Sequence, residues 1–384
     1  MYFNQMIMKK IIALVFAALL LCGCGHDKPL KSTGHYPLPG KIPVPAISFN
    51  PEHYICYRTS SEIIIDGQIN DSEWSKAPWS NLFTDIEGDL KPKPLHDTRI
   101  RMLWDDNYLY LAAELMEPHI WATLRQRDTI IYYDNDFEVF IDPDGDTHGY
   151  YEFEMNAYNT VWDLLLTTPY RDFGKVLDAW DIKGLRSAVK IFGTINDPSD
   201  IDEKWTIELA FPFDVLKEWG DVPEEGTQWR VNFSRVNWKT KHVNGRYVKE
   251  TDPATGKSLP EFNWLWSPQG LINVHYPEMW GFLQFSSGDG SGEPAEFIMN
   301  PDEKIKWELR KLYFAQRGYA AEKNHYSDDA AILLEYGYKA KGESPEIIIT
   351  MSGYEASLPS AEKNGYVCID SQGRTWTIDL STDK

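Results

Sequence analysis

Asp134-Asn135-Asp136-Phe137-Glu138-Val139-Phe140-Ile141-Asp142, followed after a short loop by Tyr150-Tyr151-Glu152-Phe153-Glu154-Met155-Asn156, alternates apolar and polar side chains through both arms. Successive side chains of a strand point to opposite faces, so Phe137, Val139 and Ile141 share one face with Tyr151, Phe153 and Met155 across a hairpin. The other face collects Asp136, Glu138, Glu152, Glu154 and Asn156. Acceptors grouped with one amide suit a ring of sugar hydroxyls, each of which can donate to a carboxylate. A solvated outer face is the other reading of the same alternation.

The pattern repeats outward. Thr98 to Trp104 places Ile100, Met102 and Trp104 on one face, Asp105-Asp106-Asn107 supplies a turn, and Tyr108 to Leu115 returns. Further strands are expected at Trp205 to Phe211, Trp229 to Val236 and Trp280 to Phe285. Residues 51–287 therefore read as mainly β, an antiparallel β-sandwich of the immunoglobulin-like or jelly-roll type. Ser286-Ser287-Gly288-Asp289-Gly290-Ser291-Gly292 opens a linker over 288–299. Residues 300–384 change character and read as a small α+β subdomain. Asn300 as N-cap, Pro301 and Glu303 open a helix to about Glu322, with Ile305, Leu309, Leu312, Tyr313 and Ala320 at helical spacing. A shorter helix is expected near Ser327, and a terminal sheet from Glu346 to Met351, Tyr366 to Ile369 and Thr375 to Ile378.

At the other end, Lys9 and Lys10 precede an apolar run from Ile11, which closes on Leu21-Cys22-Gly23-Cys24. The run is too short to span a bilayer and reads as a lipoprotein signal peptide over 1–23, with Cys24 the lipidated residue. The expected address is the cell envelope, lipid-anchored, at an outer membrane or cell surface. Residues 24–50, with Pro29, Pro37, Pro39, Pro43 and Pro45, read as a tether. Loss of the signal leaves 36 basic against 58 acidic residues, a formal charge of −22. Such a surface repels nucleic acid and tolerates neutral or cationic ligands. Of four cysteines only Cys56 and Cys368 remain, so at most one disulfide is expected.

Four motifs in order carry a resemblance: Ile65-Asp66-Gly67-Gln68-Ile69-Asn70-Asp71-Ser72-Glu73-Trp74, Leu103-Trp104-Asp105-Asp106-Asn107-Tyr108-Leu109-Tyr110, Glu138-Val139-Phe140-Ile141-Asp142 and Trp205-Thr206-Ile207-Glu208-Leu209-Ala210. Over about residues 55–285 the chain resembles a family 9 carbohydrate-binding module. The resemblance implies a β-sandwich that binds poly- or oligosaccharide without cleaving it, often beside glycan-degrading enzymes, with structural calcium in some members. It also implies site residues. Glu138 and Asn156 fall where such modules hydrogen-bond the sugar. Tyr132 falls near one of two sandwiching tryptophans, and Glu154 where a basic residue helps hold the sugar. His275 or Tyr276 stands near the second tryptophan.

The 15 tryptophans offer further platforms, among them Trp162, Trp180, Trp238, Trp264 and Trp266. Trp162 and Trp238 are favoured because Asp163 and Asn237 adjoin them. Asp142, Asp144 and Asp146 resemble a calcium loop in their spaced carboxylates, although a plain hairpin turn explains the same residues. Catalytic motifs are absent, and acidic pairs such as Glu152 and Glu154 arise by chance among 58 acids, so a glycosidase is the runner-up. Two further alternatives are a structural envelope protein and a haem-binding sandwich using His148, Met155 or His275.

Overall fold

The computed structural model describes residues 38–339 and 342–382; the signal peptide, Cys24 and the first part of the expected tether lie outside them. Alternation becomes the strands β1 (His53–Arg58), β2 (Thr84–Asp85), β3 (Thr98–Trp104), β4 (Tyr108–Met116), β5 (Asp136–Asp142), β6 (Tyr150–Asn156), β7 (Val161–Leu166), β8 (Val176–Leu177), β9 (Arg186–Phe192), β10 (Lys204–Pro212), β11 (Gln228–Asn237), β12 (Thr240–Val243), β13 (Arg246–Lys249), β14 (Phe262–Leu265) and β15 (Gly281–Ser286). All but the β12–β13 ribbon belong to one 13-stranded sheet in the order β8-β7-β6-β5-β11-β15-β1-β3-β4-β10-β9, with β14 paired to β11 and β2. Neighbours are antiparallel except β1, which runs parallel to β15 and to β3.

The sheet curls over itself at β15 and β1. Ile100, Met102 and Trp104 of β3 thereby share one buried cluster with Phe137, Val139 and Ile141 of β5 and with Tyr151, Phe153 and Met155 of β6. This is the sandwich expected from the alternation, and each core face is the expected one. Trp264 and Trp266 point into the same core, so they are packing residues and not ligand platforms. Their burial is the usual fate of a strand tryptophan.

Strand β11 divides its pairing, and this shapes the site. Its first part, Gln228 to Val231, pairs with β15, and its last part, Ser234 to Asn237, pairs with β14. Asn232 holds the fork by donating to Ser267 O (2.9 Å) and accepting from Ser267 N–H (3.0 Å). The short helix α1 (Phe213–Leu216) closes one end of the core through buried Phe213 and Leu216.

After the sandwich come helix α2 (Asp302–Lys323), a one-turn helix α3 (Ala330–Leu333) and strands β16 (Glu346–Ile349), β17 (Tyr354–Pro359), β18 (Gly365–Asp370) and β19 (Thr375–Asp379) in a four-stranded antiparallel sheet. The Asn300 side chain accepts from Asp302 N–H (2.8 Å), and Leu309, Leu312, Tyr313 and Ala320 form the buried stripe. Strand β17 is the piece the sequence reading lacked. Cys56 and Cys368 are both buried free thiols. No helix among the described residues is long and apolar enough to cross a membrane.

The boundaries drawn from sequence need revision. The core of the last domain includes Ile42, Leu271, Tyr276 and Met279 alongside α2 and β17, so it is shared with sandwich loops and with the chain before β1. From residue 38 the expected tether lies packed against the fold: Phe49 stacks on Trp307 with ring centroids 4.7 Å apart, and Tyr276 OH donates to Pro43 O (3.0 Å). The linker is anchored as well, since Phe297 stacks on His53 at 4.4 Å and Ile298 O accepts from Gln228 Nε2 (2.8 Å). Proline-rich chain has few backbone donors and docks by scattered side chains and single backbone bonds, such as Ala46 N–H to Gly270 O (3.0 Å), which leaves no periodic signature.

Candidate functional site

The outer face of the β5–β6 hairpin is where polar chemistry concentrates. Register sets Glu138 opposite Glu154 on one side and Ser234 on the other, Asp136 opposite Asn156, Phe140 opposite Glu152, and Glu154 opposite Trp162. The face is neither a solvated surface nor an open shelf. Asp136 is 0% exposed, Glu154 2%, Glu152 5% and Glu138 6%. One half is apolar, where Phe140, Tyr150, Leu164, Leu166 and Trp280 cluster with half-buried Trp162 against them. The other half is a buried acidic pit.

Burial dominates the electrostatics. It pushes the carboxyls of Asp136, Glu152 and Glu154 well above their ordinary range, and each is raised further by its acidic neighbours. Glu138 is pushed up to about 7, chiefly by burial. Among the described residues none of the four has a salt-bridge partner. Glu154 Oε2 accepts from Tyr132 N–H (3.1 Å) and Asp136 Oδ1 from Val236 N–H (3.3 Å), while Asp136 Oδ2 and Glu152 Oε2 are buried without a hydrogen bond. One oxygen each from Asp136, Glu138 and Glu154 lies within 4.8 Å of the others.

Aromatic residues rim the pit. Tyr132 and Tyr133 sit on a single 3-10 turn, Ile131–Tyr133, with ring centroids 5.0 Å apart. Trp238 follows β11 and ties to that turn, its indole N–H donating to Tyr132 O (2.8 Å). Lys249 Nζ stands 3.2 Å from the Trp238 ring centroid, which occupies one ring face with a cation. Tyr132, Glu138 and Glu154, which the resemblance implied, thus lie beside Trp162 and Trp238, which the sequence offered as an alternative platform. The reason it gave for the two tryptophans does not hold, because Asp163 and Asn237 turn away. Asp163 accepts from Ile182 N–H (2.6 Å), and Asn237 donates to Glu117 (2.9 Å). Tyr133, Tyr170 and Glu261 also belong here and were missed; Tyr170 feels Glu152 and Glu154, and Glu261 feels Glu138. A bare tyrosine in a loop carries no signal in a single sequence.

Other expected residues have different work. Asn156 is wholly buried, with its amide nitrogen donating to Leu124 O (2.9 Å) and Asp134 Oδ2 (3.0 Å) and its oxygen accepting from Tyr158 N–H (3.0 Å) and Thr160 N–H (3.1 Å). It builds the turn after β6 and has nothing left for a sugar. His275 lies at the apolar end, where its Nδ1 is 2.9 Å from Tyr150 OH and its ring packs at 4.6 Å from Tyr170. Burial, then Arg171, brings its imidazole down to about 3, so it is neutral at physiological pH. Met155 faces the core on the opposite side of the sheet, and His148 sits in the β5–β6 loop, so no pair of haem ligands is assembled. Trp180 packs on Tyr151 at 5.0 Å, away from the pit.

Asp142, Asp144 and Asp146 also place carboxylate oxygens within 4.8 Å of one another. The acceptors of Asp142 and Asp146 are already used. Asp142 takes Gly145 N–H (3.1 Å) and Thr147 N–H (3.0 Å), Asp146 takes His148 N–H (2.7 Å), and Arg374 Nε reaches Asp146 Oδ2 at 2.7 Å. With the positive charge supplied by the chain itself, these residues fit a hydrogen-bonded turn better than a calcium loop.

Residues 65–252 match the model of the family described as Carbohydrate family 9 binding domain-like. Among solved structures, a family 9 carbohydrate-binding module from Caldicellulosiruptor kristjanssonii in complex with cellotriose is similar at 17% identity, covering 65% of this chain and 100% of that chain with a TM-score of 0.40. The glucose complex of a family 9 module from the same organism is similar at 16% identity, covering 62% of this chain and 100% of that chain with a TM-score of 0.38. No curated protein matches the chain.

Proposed function

We infer that this chain, whose residues 65–252 belong to the family 9 carbohydrate-binding domains, holds a poly- or oligosaccharide at the pit rimmed by Tyr132, Trp162 and Trp238. The observation that carries the reading is the joining of acceptor carboxyls, Glu138 and Glu154, to half-buried aromatic rings on one sheet face. Rings stack on the apolar faces of sugars and carboxyls take their hydroxyls. Removing a hydrogen bond to a charged group costs about 1.5–3 kcal/mol, so Glu138→Ala is expected to weaken glycan binding roughly ten- to hundredfold. Isothermal titration against a panel of plant and host polysaccharides, with Tyr132→Ala alongside, checks this. Unchanged affinity in both variants moves the site elsewhere.

Holding without cutting fits the pit's chemistry. A glycosidase pair needs one carboxyl kept protonated and its partner kept ionised. Here burial raises Glu138, Glu152 and Glu154 alike, which does not by itself divide them into an acid and a base. The lipobox adds an address, and the reading becomes a lipid-anchored receptor that captures glycan at the cell envelope for neighbouring degrading enzymes. Expressed in a bacterium with lipoprotein processing, the protein is expected to take up labelled palmitate and sediment with membranes, and Cys24→Ala to do neither. Labelling that survives Cys24→Ala removes the anchor from the proposal.

A further inference from the structure

The acidic pit is short of positive charge, and the nearest cations have other partners. Arg235 lies on the far side of the sheet with Glu117 (2.7 Å), Arg171 pairs with Glu278 (2.8 Å), Arg230 pairs with Glu303 (3.0 Å), and Lys249 rests on Trp238. A buried carboxylate must be neutralised by a proton, a protein cation or a bound ion. Two further observations favour the ion. Asp136 Oδ2 and Glu152 Oε2 are buried polar atoms without any hydrogen bond, on residues 0% and 5% exposed.

One oxygen each from Asp136, Glu138 and Glu154 comes within 4.8 Å of the others, close enough for all three to reach one ion with oxygen ligands at about 2.3–2.6 Å. An ammonium group needs directional acceptors and is already served in this neighbourhood by the Trp238 ring under Lys249. Hard oxygen donors of this number select calcium-like ions over softer metals.

We propose that Asp136, Glu138 and Glu154, with Glu152 behind them, hold a hard divalent cation of the calcium kind, and that this cation takes hydroxyls of the bound sugar. The cation belongs in the pit and not in the Asp142–Asp146 turn, where Asp142 already takes two backbone N–H groups and Arg374 pairs with Asp146. The part played by the sugar rests on the carbohydrate reading of the same site; the cation does not.

The test uses Tb3+ as the probe on the full chain in detergent, since the aromatic rim sensitises its luminescence. Saturable luminescence reversed by Ca2+ is expected, with apparent affinity falling at least tenfold in Glu138→Gln and Glu154→Gln and unchanged in Asp144→Asn. The glutamine variants keep shape and relieve repulsion, so in EDTA they should melt no lower than the parent; this separates a lost ligand from a lost fold. No saturable luminescence, or luminescence lost in Asp144→Asn and kept in the glutamine variants, overturns the proposal. Glycan titration with Ca2+ and with EDTA separates the two readings. Sugar binding indifferent to EDTA overturns the cation's part in holding sugar and leaves the carbohydrate reading intact, whereas Ca2+-reversible Tb3+ binding without binding of any glycan upholds the cation and removes the sugar.

Discussion

Asp172→Ala is expected to lower stability by about 3–5 kcal/mol, the usual cost of removing one partner from a buried ion pair. Asp172 ends the 3-10 turn Tyr170–Asp172 after β7, and its side chain is wholly buried. Both its oxygens accept from Tyr313 OH, at 2.6 and 2.8 Å, and it pairs with the Arg317 guanidinium. Arg317 also donates to Gly40 O (2.9 Å) and to Arg171 O (3.0 Å), so one guanidinium joins the chain before β1, the sandwich and helix α2. Burial raises the Asp172 carboxyl more than the surrounding arginines lower it. The charged pair is therefore held at a desolvation cost, and truncation leaves Arg317 buried with no carboxylate. Chemical denaturation of the full chain checks the magnitude. Asp172→Asn keeps an acceptor and should lose less. Accelerated proteolysis between Ser287 and Gly292 is expected in the alanine variant, because undocking α2 frees the linker. A loss below about 1 kcal/mol would place the network in solvent and leave the last domain independent.

This network gives the last domain a bearing on the site. It braces the turn that carries Tyr170, whose hydroxyl senses Glu152 and Glu154, and whose ring packs at 4.6 Å from His275. The subdomain is thus a buttress under one side of the pit. Its helix was readable because Leu309, Leu312 and Tyr313 recur at helical spacing behind an Asn300 cap, and those residues are buried as expected. Its docking was not readable, since Asp172 and Glu278 lie far in sequence from Arg310 and Arg317 of the helix, and each alone looks like a surface charge.

The same limit runs through the sandwich. Period-two alternation assigned every core side chain of β3, β5 and β6 to its correct face, because burial of one face is what the pattern encodes. It said nothing of what covers the other face. Acidic alternation looked alike for Glu138, which lies in the pit, and for Asn156, which closes its own turn. The Pro-rich chain before β1 looked like a tether because docking through Ile42 and Phe49 needs no repeat.

Two of the family motifs turn out to be halves of one device, and Glu208→Ala is expected to break it. Glu208 of β10 is 0% exposed, and its Oε1 accepts from the Trp74 indole (2.8 Å) while Oε2 accepts from Asp66 N–H (3.0 Å) and Gly67 N–H (2.7 Å). Gly67 can approach this closely because it has φ +84° and no Cβ, which would stand 2.8 Å from Lys190 N. The segment from Ile65 to Trp74 is thereby pinned across the edge formed by β9 and β10. Removing the carboxylate orphans two buried donors, the Trp74 indole N–H and Gly67 N–H, each worth about 1–3 kcal/mol of desolvation, so a loss of at least about 2 kcal/mol is expected. Glu208→Gln keeps one acceptor oxygen and should fall between the parent and alanine. Trp74 fluorescence offers a local readout, since a freed indole meets water and shifts to the red before global unfolding. A loss under about 1 kcal/mol would mean that water replaces the carboxylate and that the motif's glutamate has another purpose.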